Sequence, residues 1–185
     1  MTDQLASTIP EEAPTSGPAA TEMTVELVID SYRVTGDLRS LGAPRRLVDI
    51  LTVSDDPFVI LRKVALDDPL TEGDEPRRFD MVQLHRETIL FAIPRGEGDL
   101  HPDPYDMVKK VPVPATVTVP GFEITGNVFF LPEVDPASAP LIGGHGFIPM
   151  TDVSIRAAGR SEAAWTEPVI VVNLLRVRLF APRSD

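Results

Sequence analysis

Apolar and polar residues alternate in the first part of the chain, and the phase of the alternation changes once. Between residues 25 and 29 the best apolar set falls on odd positions, and between residues 32 and 38 it falls on even positions. The phase changes across Asp30 and Ser31, two residue types that favour turns. Because a period of two is typical of half-buried strands, this pattern predicts a β-hairpin.

The same pattern returns in the second part of the chain. Apolar residues are odd between 111 and 119 and even between 122 and 130, with the change of phase across Pro120 and Gly121. Three segments match in the same order, at offsets of 90, 89 and 88: Tyr32 with Phe122, Phe58 with Phe147, and Ile89 with Val177. These matches indicate a duplicated unit of roughly 70 residues with small loop changes.

After the hairpin, each copy is predicted to contain a central strand and two closing strands. The central strands are residues 58–66 and 147–155, and the closing pairs are 81–84 with 88–93 and 169–172 with 176–180. Between hairpin and central strand the first copy has Leu47, Ile50 and Leu51 at helical spacing, which predicts a short helix. The second copy has proline-rich and glycine-rich residues there, which predict a loop. The expected fold is therefore all-β, with two tandem small antiparallel β-barrels.

The chain is expected to divide into four segments. Residues 1–23 are rich in Pro, Thr, Ser, Ala and Glu, a composition typical of a disordered tail. Residues 24–96 form the first repeat, 97–112 a proline-containing linker, and 113–185 the second repeat. Because a domain of roughly 70 residues buries only about 60% of its unfolded surface, the halves should pack on each other or on a partner.

The opening hairpin resembles that of Sm-like barrels. Residues 25–38 read as a strand, a turn and an apolar-x-Gly-x-apolar strand, and residues 82–89 are similar to the strand–turn–strand that closes that fold. This resemblance implies a small barrel of the Sm-like or SH3-like type. It also implies an alternative function in nucleic-acid binding, with residues 84–86 at a basic rim.

The two copies together resemble a bacterial domain family of unknown function. Its members contain Tyr-x-Ile-x-Gly, then Arg-Leu-x-Asp-x-Leu, then Phe-Ile-Pro-Leu-Thr-Asp-Ala, and then Asn-x-x-x-Ile. The matching residues here are Tyr32, Gly36, 46–51, Phe122, Gly126, 147–153 and Asn173. The resemblance extends over most of residues 24–183 and implies no activity.

Composition narrows the possible functions. The chain has 17 basic and 28 acidic residues, a net charge of −11, and no segment of it is basic. Since nucleic-acid affinity depends largely on Lys and Arg neutralising phosphates, this balance argues against DNA or RNA as a principal partner.

The absence of cysteine excludes disulfides and thiolate metal sites. No apolar run approaches the roughly 20 residues that span a bilayer, and residues 1–4 do not resemble a signal peptide, so we expect a soluble cytoplasmic protein without membrane contact.

Candidate chemistry is sparse. His85, His101 and His145 have no second ligand at metal-binding spacing, and the glycine-rich residues 143–146 are not followed by the residues of a phosphate-binding loop. Acidic clusters lack the spacing of a calcium loop. We therefore assign no catalytic, cofactor-binding or metal residue, and expect no cofactor and no enzymatic activity. The basic residues that could contact a partner are Arg45, Arg46, His85 and Arg86.

The sequence favours a non-enzymatic module that acts through protein–protein contact, either with a partner or by self-association. Small barrels expose edge strands that can pair with another chain. Two alternatives remain, an Sm-like nucleic-acid binder and a small-ligand site in the cleft between the repeats or at residues 143–146.

Two structural expectations follow from the repeat. Gly36 and Gly126 hold the same mid-strand position, which predicts a bulge or a close backbone approach. Equivalent apolar positions should also be buried in each half: Val34, Leu38, Phe58, Leu61, Val64, Ile89 and Phe91 in the first, and Ile124, Val128, Phe147, Met150, Val153, Val177 and Leu179 in the second.

Overall fold

A computed structural model describes residues 20–30, 32–41, 46–53, 56–68, 75–96, 109–136, 146–159 and 164–183. Within these residues the chain forms ten strands, one α-helix and two 3-10 turns. In chain order the elements are β1 (Ala20–Ile29), β2 (Tyr32–Leu41), α1 (Leu47–Val53), β3 (Phe58–Asp67), β4 (Arg77–His85), the turn Arg86–Thr88, β5 (Ile89–Pro94), β6 (Val111–Val119), β7 (Phe122–Phe130), β8 (Phe147–Ala157), β9 (Ala164–Asn173), the turn Leu174–Arg176, and β10 (Leu179–Pro182).

All ten strands belong to one antiparallel sheet, in the order β10-β6-β7-β8-β9-β5-β1-β2-β3-β4. This order consists of two identical five-strand blocks, because β5-β1-β2-β3-β4 in the first copy corresponds to β10-β6-β7-β8-β9 in the second. The blocks join where β5 pairs with β9, and Phe91 lies opposite Val172. The all-β prediction is therefore confirmed, and so is the short helix.

The predicted pair of closed barrels is not confirmed, because the sheet is open. Closing the first copy would require β5 to pair with β4 of the same copy. Instead β5 pairs with β1 on one side and with β9 of the other copy on the other side. The edge of β5 that would close the barrel of the first copy is thus the edge that pairs with the second copy.

The predicted hairpins are both present, and order begins earlier than expected. Ile29 pairs with Tyr32 across the first turn, and Val119 pairs with Phe122 across the second. Gly121 takes a left-handed φ of 78° in the second turn, a conformation that glycine adopts without a steric penalty. Strand β1 starts at Ala20, four residues before the predicted start at Thr24. Residues 1–19 of the predicted tail and 97–108 of the predicted linker lie outside the described residues.

The close backbone approach predicted at the repeated glycines is confirmed. A Cβ at Gly36 would lie 2.9 Å from the carbonyl oxygen of Arg62, and a Cβ at Gly126 would lie 2.8 Å from that of Thr151. The strand register shifts at both glycines. The residue after each of those carbonyls has a left-handed backbone, with φ of 50° at Lys63 and 51° at Asp152. The bulge lies on β3 and β8, and each glycine makes room for it.

Two hydrophobic clusters form the core, and each contains residues of both copies. The first cluster consists mainly of first-copy residues and includes Val34, Leu61 and Ile89 together with Phe147 and Val171 of the second copy. The second cluster consists mainly of second-copy residues and includes Ile124, Met150 and Val153 together with Leu90, Phe91 and Ile93 of the first copy. The copies therefore share their cores across the β5–β9 junction.

Most of the predicted core positions are buried, but two are wrong. Phe58 and Leu179 are exposed, and Val177 is only partly buried. Phe91 and Phe147, the repeat equivalents of Leu179 and Phe58, are buried, but each packs in the cluster of the other copy. Equivalent positions differ because the junction covers one member of each pair and leaves the other at an end of the sheet.

Helix α1 links the first copy to the second. Leu47 and Leu51 are buried in the first cluster, and the helix contacts β8. Arg46, just before the helix, donates from Nε to Asp49 Oδ2 at 3.2 Å, as the i,i+3 spacing of the two residues predicts.

Candidate functional site

The predicted basic residues take part in internal contacts. Arg46 forms the ion pair with Asp49. Arg86 donates from Nη1 to the carbonyl oxygen of Leu51 at 2.5 Å, and Leu51 lies in the last turn of α1, where carbonyls lack helical partners. The His85 ring packs edge-on against Phe58 at 5.3 Å between centroids. Arg45 lies outside the described residues. The structure thus places Arg46 and Arg86 at opposite ends of α1, where each is engaged in a contact with the helix.

The second copy has Asn173 where the first has His85. Its amide nitrogen donates to the carbonyl oxygen of Ile89 at 2.8 Å, and its side-chain oxygen accepts from the Leu175 amide at 3.0 Å. The Asn173 side chain is buried and therefore fixes the end of β9 against the start of β5. This residue belongs to the junction between the copies rather than to a binding surface.

The remaining sequence candidates carry no assembled chemistry in the described part of the chain. His101, His145 and the glycines at 143 and 144 fall outside the described residues. Among the residues that are described, no three His, Asp or Glu side chains are grouped so that they could hold a metal ion.

A wide groove of 740 Å³ runs along the outer strands of the first copy. Its lining residues are Lys63, Val64, Arg78, Phe79, Asp80 and Met81, from β3 and β4. Both signs of charge and three apolar residues line this space. The groove therefore lies beside β4, the strand at one end of the described sheet.

An ion network built on two buried carboxylates crosses the junction between the copies, and sequence reasoning missed it. Arg95, directly after β5, donates two hydrogen bonds to Glu26 of β1, at 2.8 and 3.0 Å. The same guanidinium donates to both carboxylate oxygens of Glu167 on β9, at 2.9 and 2.8 Å. Arg33 adds an ion pair to Glu26 at 3.1 Å. Glu167, a charged residue just before the apolar strand predicted at residues 169–172, was the available signal.

Burial and charge compete at Arg95. Burial of the side chain opposes its positive charge, but the hydrogen bonds with Glu167 and Glu26 outweigh that effect and raise the pKa of Arg95 above its ordinary value. Both carboxylates are buried. Because a planar guanidinium matches a carboxylate with two parallel bonds, Arg95 fixes the relative position of β1 and β9.

The two ends of the sheet are the surfaces best suited to contact with another molecule. Among the described strands, β4 and β10 each pair with a strand on one side only. At the β4 end the exposed large apolar side chains are Tyr32, Phe58, Ile60, Phe79 and Met81. At the β10 end Leu179 is exposed on the edge strand itself. An edge strand presents backbone donors and acceptors to a further strand, and apolar neighbours make such pairing more favourable.

Comparison with known protein families, with curated proteins and with solved structures finds no match to this chain. No helix among the described residues is long and apolar enough to cross a membrane. The geometry of the chain itself is therefore the basis for a functional proposal.

Proposed function

We propose that this chain is a non-enzymatic assembly module that binds other protein chains by strand pairing at the ends of its sheet. The observation that supports this proposal most directly is the combination of a free edge strand with exposed apolar residues. Phe79 and Met81 of β4 are both exposed, and both line the groove beside that edge. Extended peptides add to such edges through main-chain hydrogen bonds, and side-chain contacts provide specificity.

The alternatives have less support from the described residues. In the nucleic-acid alternative, His85 and Arg86 would contact the nucleic acid, but the His85 ring packs against Phe58 and the Arg86 guanidinium donates to the carbonyl oxygen of Leu51. In the cleft alternative, a ligand would lie between the repeats, but the described junction contains apolar side chains and the Arg95 network. Both would require a rearrangement of contacts that hold the fold together, while the possible ligand site at residues 143–146 is largely outside the described residues.

Three further proposals accompany this function. Each copy is a small barrel of the Sm-like type that is opened at its fourth and fifth strands. Membership in the bacterial domain family rests on the sequence resemblance. A cytoplasmic location is consistent with the composition of the chain.

Recovery of partners from an extract of the source cells tests the proposed function. Met81→Lys adds a charge to the free edge strand, and Phe129→Lys places the same charge on an exposed apolar position of β7, an interior strand of the sheet. Lys on an edge strand opposes pairing. We expect the parent and Phe129→Lys to retain a protein partner that Met81→Lys loses.

Two results would count against edge pairing. A partner retained equally by Met81→Lys would show that the β4 edge is not used. Sub-micromolar binding to single-stranded RNA at about 150 mM salt, a regime in which specific nucleic-acid binders remain tight, would make the nucleic-acid alternative the leading one.

A further inference from the structure

The junction between the two copies is a contact between unlike surfaces. The fourth strand of the second copy, β9, pairs with the fifth strand of the first copy, β5. Because the junction uses the fourth strand of one copy and the fifth strand of the other, it leaves one fourth-strand edge and one fifth-strand edge at the two ends of the described sheet. Those ends are β4, the fourth strand of the first copy, and β10, the fifth strand of the second. The free edges are therefore the two halves of the same contact that already joins the copies.

Three repeat positions are buried at the junction and exposed at the ends. Phe122 is 3% exposed and its equivalent Tyr32 is 44% exposed. Phe147 is 6% exposed and its equivalent Phe58 is 44% exposed. Phe91 is fully buried, whereas its equivalent Leu179 is 48% exposed.

The three exposed residues are distributed over the two ends of the sheet as their buried equivalents are distributed over the two sides of the junction. At the junction, Phe122 and Phe147 come from the second copy, and Phe91 comes from the first. Phe91 packs edge-on against Phe122, with ring centroids 5.4 Å apart. At the ends, Tyr32 and Phe58 belong to the first copy, beside β4, and Leu179 belongs to β10. A second chain would therefore place Leu179 against Tyr32, as Phe91 packs against Phe122. Phe147 shares a cluster with Ile89 and Ala92, so Phe58 would be covered by their repeat equivalents, Val177 and Phe180.

The strand register of the junction also transfers to the ends. Phe91 lies opposite Val172, and Ala92 lies opposite Val171. Moving each residue by the repeat offset of 88 places Leu179 opposite Leu84 and Phe180 opposite Gln83. Continuing this antiparallel register by three residues places Arg183 opposite Asp80. Both side chains are exposed, and opposite charges directly across a strand pair favour pairing.

We propose that copies of this chain associate head to tail, with β10 of one chain paired to β4 of the next in the register of the β5–β9 junction. This inference rests on the proposed assembly function and identifies the partner as a second copy of the chain. Such heterologous contacts form rings if the rotation between copies closes, and filaments if it does not. Because β10 is only four residues long, we expect the association to be weak and to require a high protein concentration.

Sedimentation velocity of the full chain and three single variants over a wide concentration series tests the proposal. Leu179→Glu blocks the β10 end, Phe58→Glu blocks the β4 end, and Phe129→Glu is the matched control on an exposed apolar residue of interior strand β7. We expect the parent and the control to associate and each blocked variant to remain a monomer. An equimolar mixture of the two blocked variants should form a dimer, because it contains one intact end of each type.

A folding check and further variants keep the test decisive. Circular dichroism shows whether Phe58→Glu is folded, and Tyr32→Glu blocks the same end if it is not. The reversal of charge in Asp80→Arg or in Arg183→Asp should weaken association, and the two changes in one chain should restore it if the register is right.

Several outcomes would overturn head-to-tail pairing. These are a parent chain that is monomeric throughout, a blocked variant that still dimerises alone, and a mixture of blocked variants that stays monomeric. A monomeric parent that still binds a different protein through Met81 would overturn self-association and leave the proposed function standing. A monomeric parent with no such partner would overturn both.

Discussion

Replacing Gly36 with alanine tests whether the bulge in β3 determines the stability of the first copy. The added Cβ would lie 2.9 Å from the carbonyl oxygen of Arg62 and 3.2 Å from both Leu61 Cβ and Val64 Cγ2. Ordinary carbon–oxygen contacts begin at about 3.3 Å, so the Arg62 carbonyl would have to move by roughly 0.4 Å. Because that oxygen belongs to the backbone of a central strand, the displacement cannot be absorbed by a flexible side chain.

The magnitude follows from two opposing effects. Overpacking at a tightly packed position costs about 1–3 kcal/mol. Replacing glycine also lowers the entropy of the unfolded chain, which stabilises the protein by about 0.4–1 kcal/mol. The difference between these ranges is about 0–2.6 kcal/mol. Because the close contact is with backbone, which cannot move aside freely, we expect Gly36→Ala to lower the free energy of unfolding by about 1–2 kcal/mol. The melting temperature should fall by roughly 2–4 °C for each kcal/mol in a chain of this size.

Urea unfolding of Gly36→Ala, Gly126→Ala and a control provides the measurement. Gly126 should behave like Gly36, because its added Cβ would lie 2.8 Å from the carbonyl oxygen of Thr151. Gly96→Ala is the matched control, since no atom lies within 4 Å of its added Cβ. The control should stay within about 0.5 kcal/mol of the parent. If all three variants unfold at the same urea concentration as the parent, close approach at the bulge does not limit stability.

Three other predictions concern the ion pairs and the shared core. Arg95→Ala should lower the free energy of unfolding by about 1.5–3 kcal/mol, because two buried carboxylates lose charged hydrogen bonds; an unchanged urea midpoint would contradict this. Hydrogen bonds from Lys63 and Thr24 lower the pKa of Asp37 in the folded state, so this carboxylate stabilises the fold above its ordinary pKa of about 4 and loses that effect as the pH falls. Asp37→Asn should therefore be less stable than the parent near neutral pH, and the difference should shrink as the pH falls below about 4; a difference independent of pH would refute the prediction. Because each cluster contains residues of both copies, fluorescence of Trp165, the single tryptophan, and far-ultraviolet circular dichroism should report one coincident unfolding transition; separate midpoints would show that the copies unfold independently.

The local structure could be predicted from the sequence because it depends on local patterns. A period of two with a change of phase identifies both hairpins, and helical spacing of Leu47, Ile50 and Leu51 identifies α1. Gly36 and Gly126 could be recognised because a mid-strand glycine repeated in both copies indicates a bulge or a close backbone approach. In each case the cause lies within a few residues of its effect, or in the comparison of two equivalent segments.

The connection between the copies could not be predicted in the same way. Alternation shows which face of a strand is apolar, but it does not show which strand lies beside it. The edge of β5 could pair with β4 or with β9, and both strands have an apolar residue one position before their last, Leu84 and Val172. The choice depends on long-range contacts such as those of Arg95 with Glu167, 72 positions away.

The two errors in the predicted core have a single physical origin. The sequence-based prediction assumes that equivalent positions are equally buried, and therefore treats Phe58 like Phe147 and Leu179 like Phe91. A heterologous junction breaks that equivalence, because each copy uses a different surface in it and keeps the other at an end of the sheet. A two-fold arrangement would have buried the same positions in both copies. The exposure of Phe58 and Leu179 is thus a direct consequence of how the copies are joined.

The chemistry of the two ends differs from that of the junction in a way that favours reversible contact. Strand β5 has six residues and a buried Phe91, whereas β10 has four residues and the smaller Leu179 at the equivalent position. The junction is reinforced by Arg95 between two buried carboxylates, and the equivalent Arg183 would meet only the exposed Asp80. Short edges and charged residues are features by which proteins limit uncontrolled strand pairing. The contact between chains should therefore be a weaker form of the contact within the chain, so assembly can respond to protein concentration while the join between the copies remains permanent.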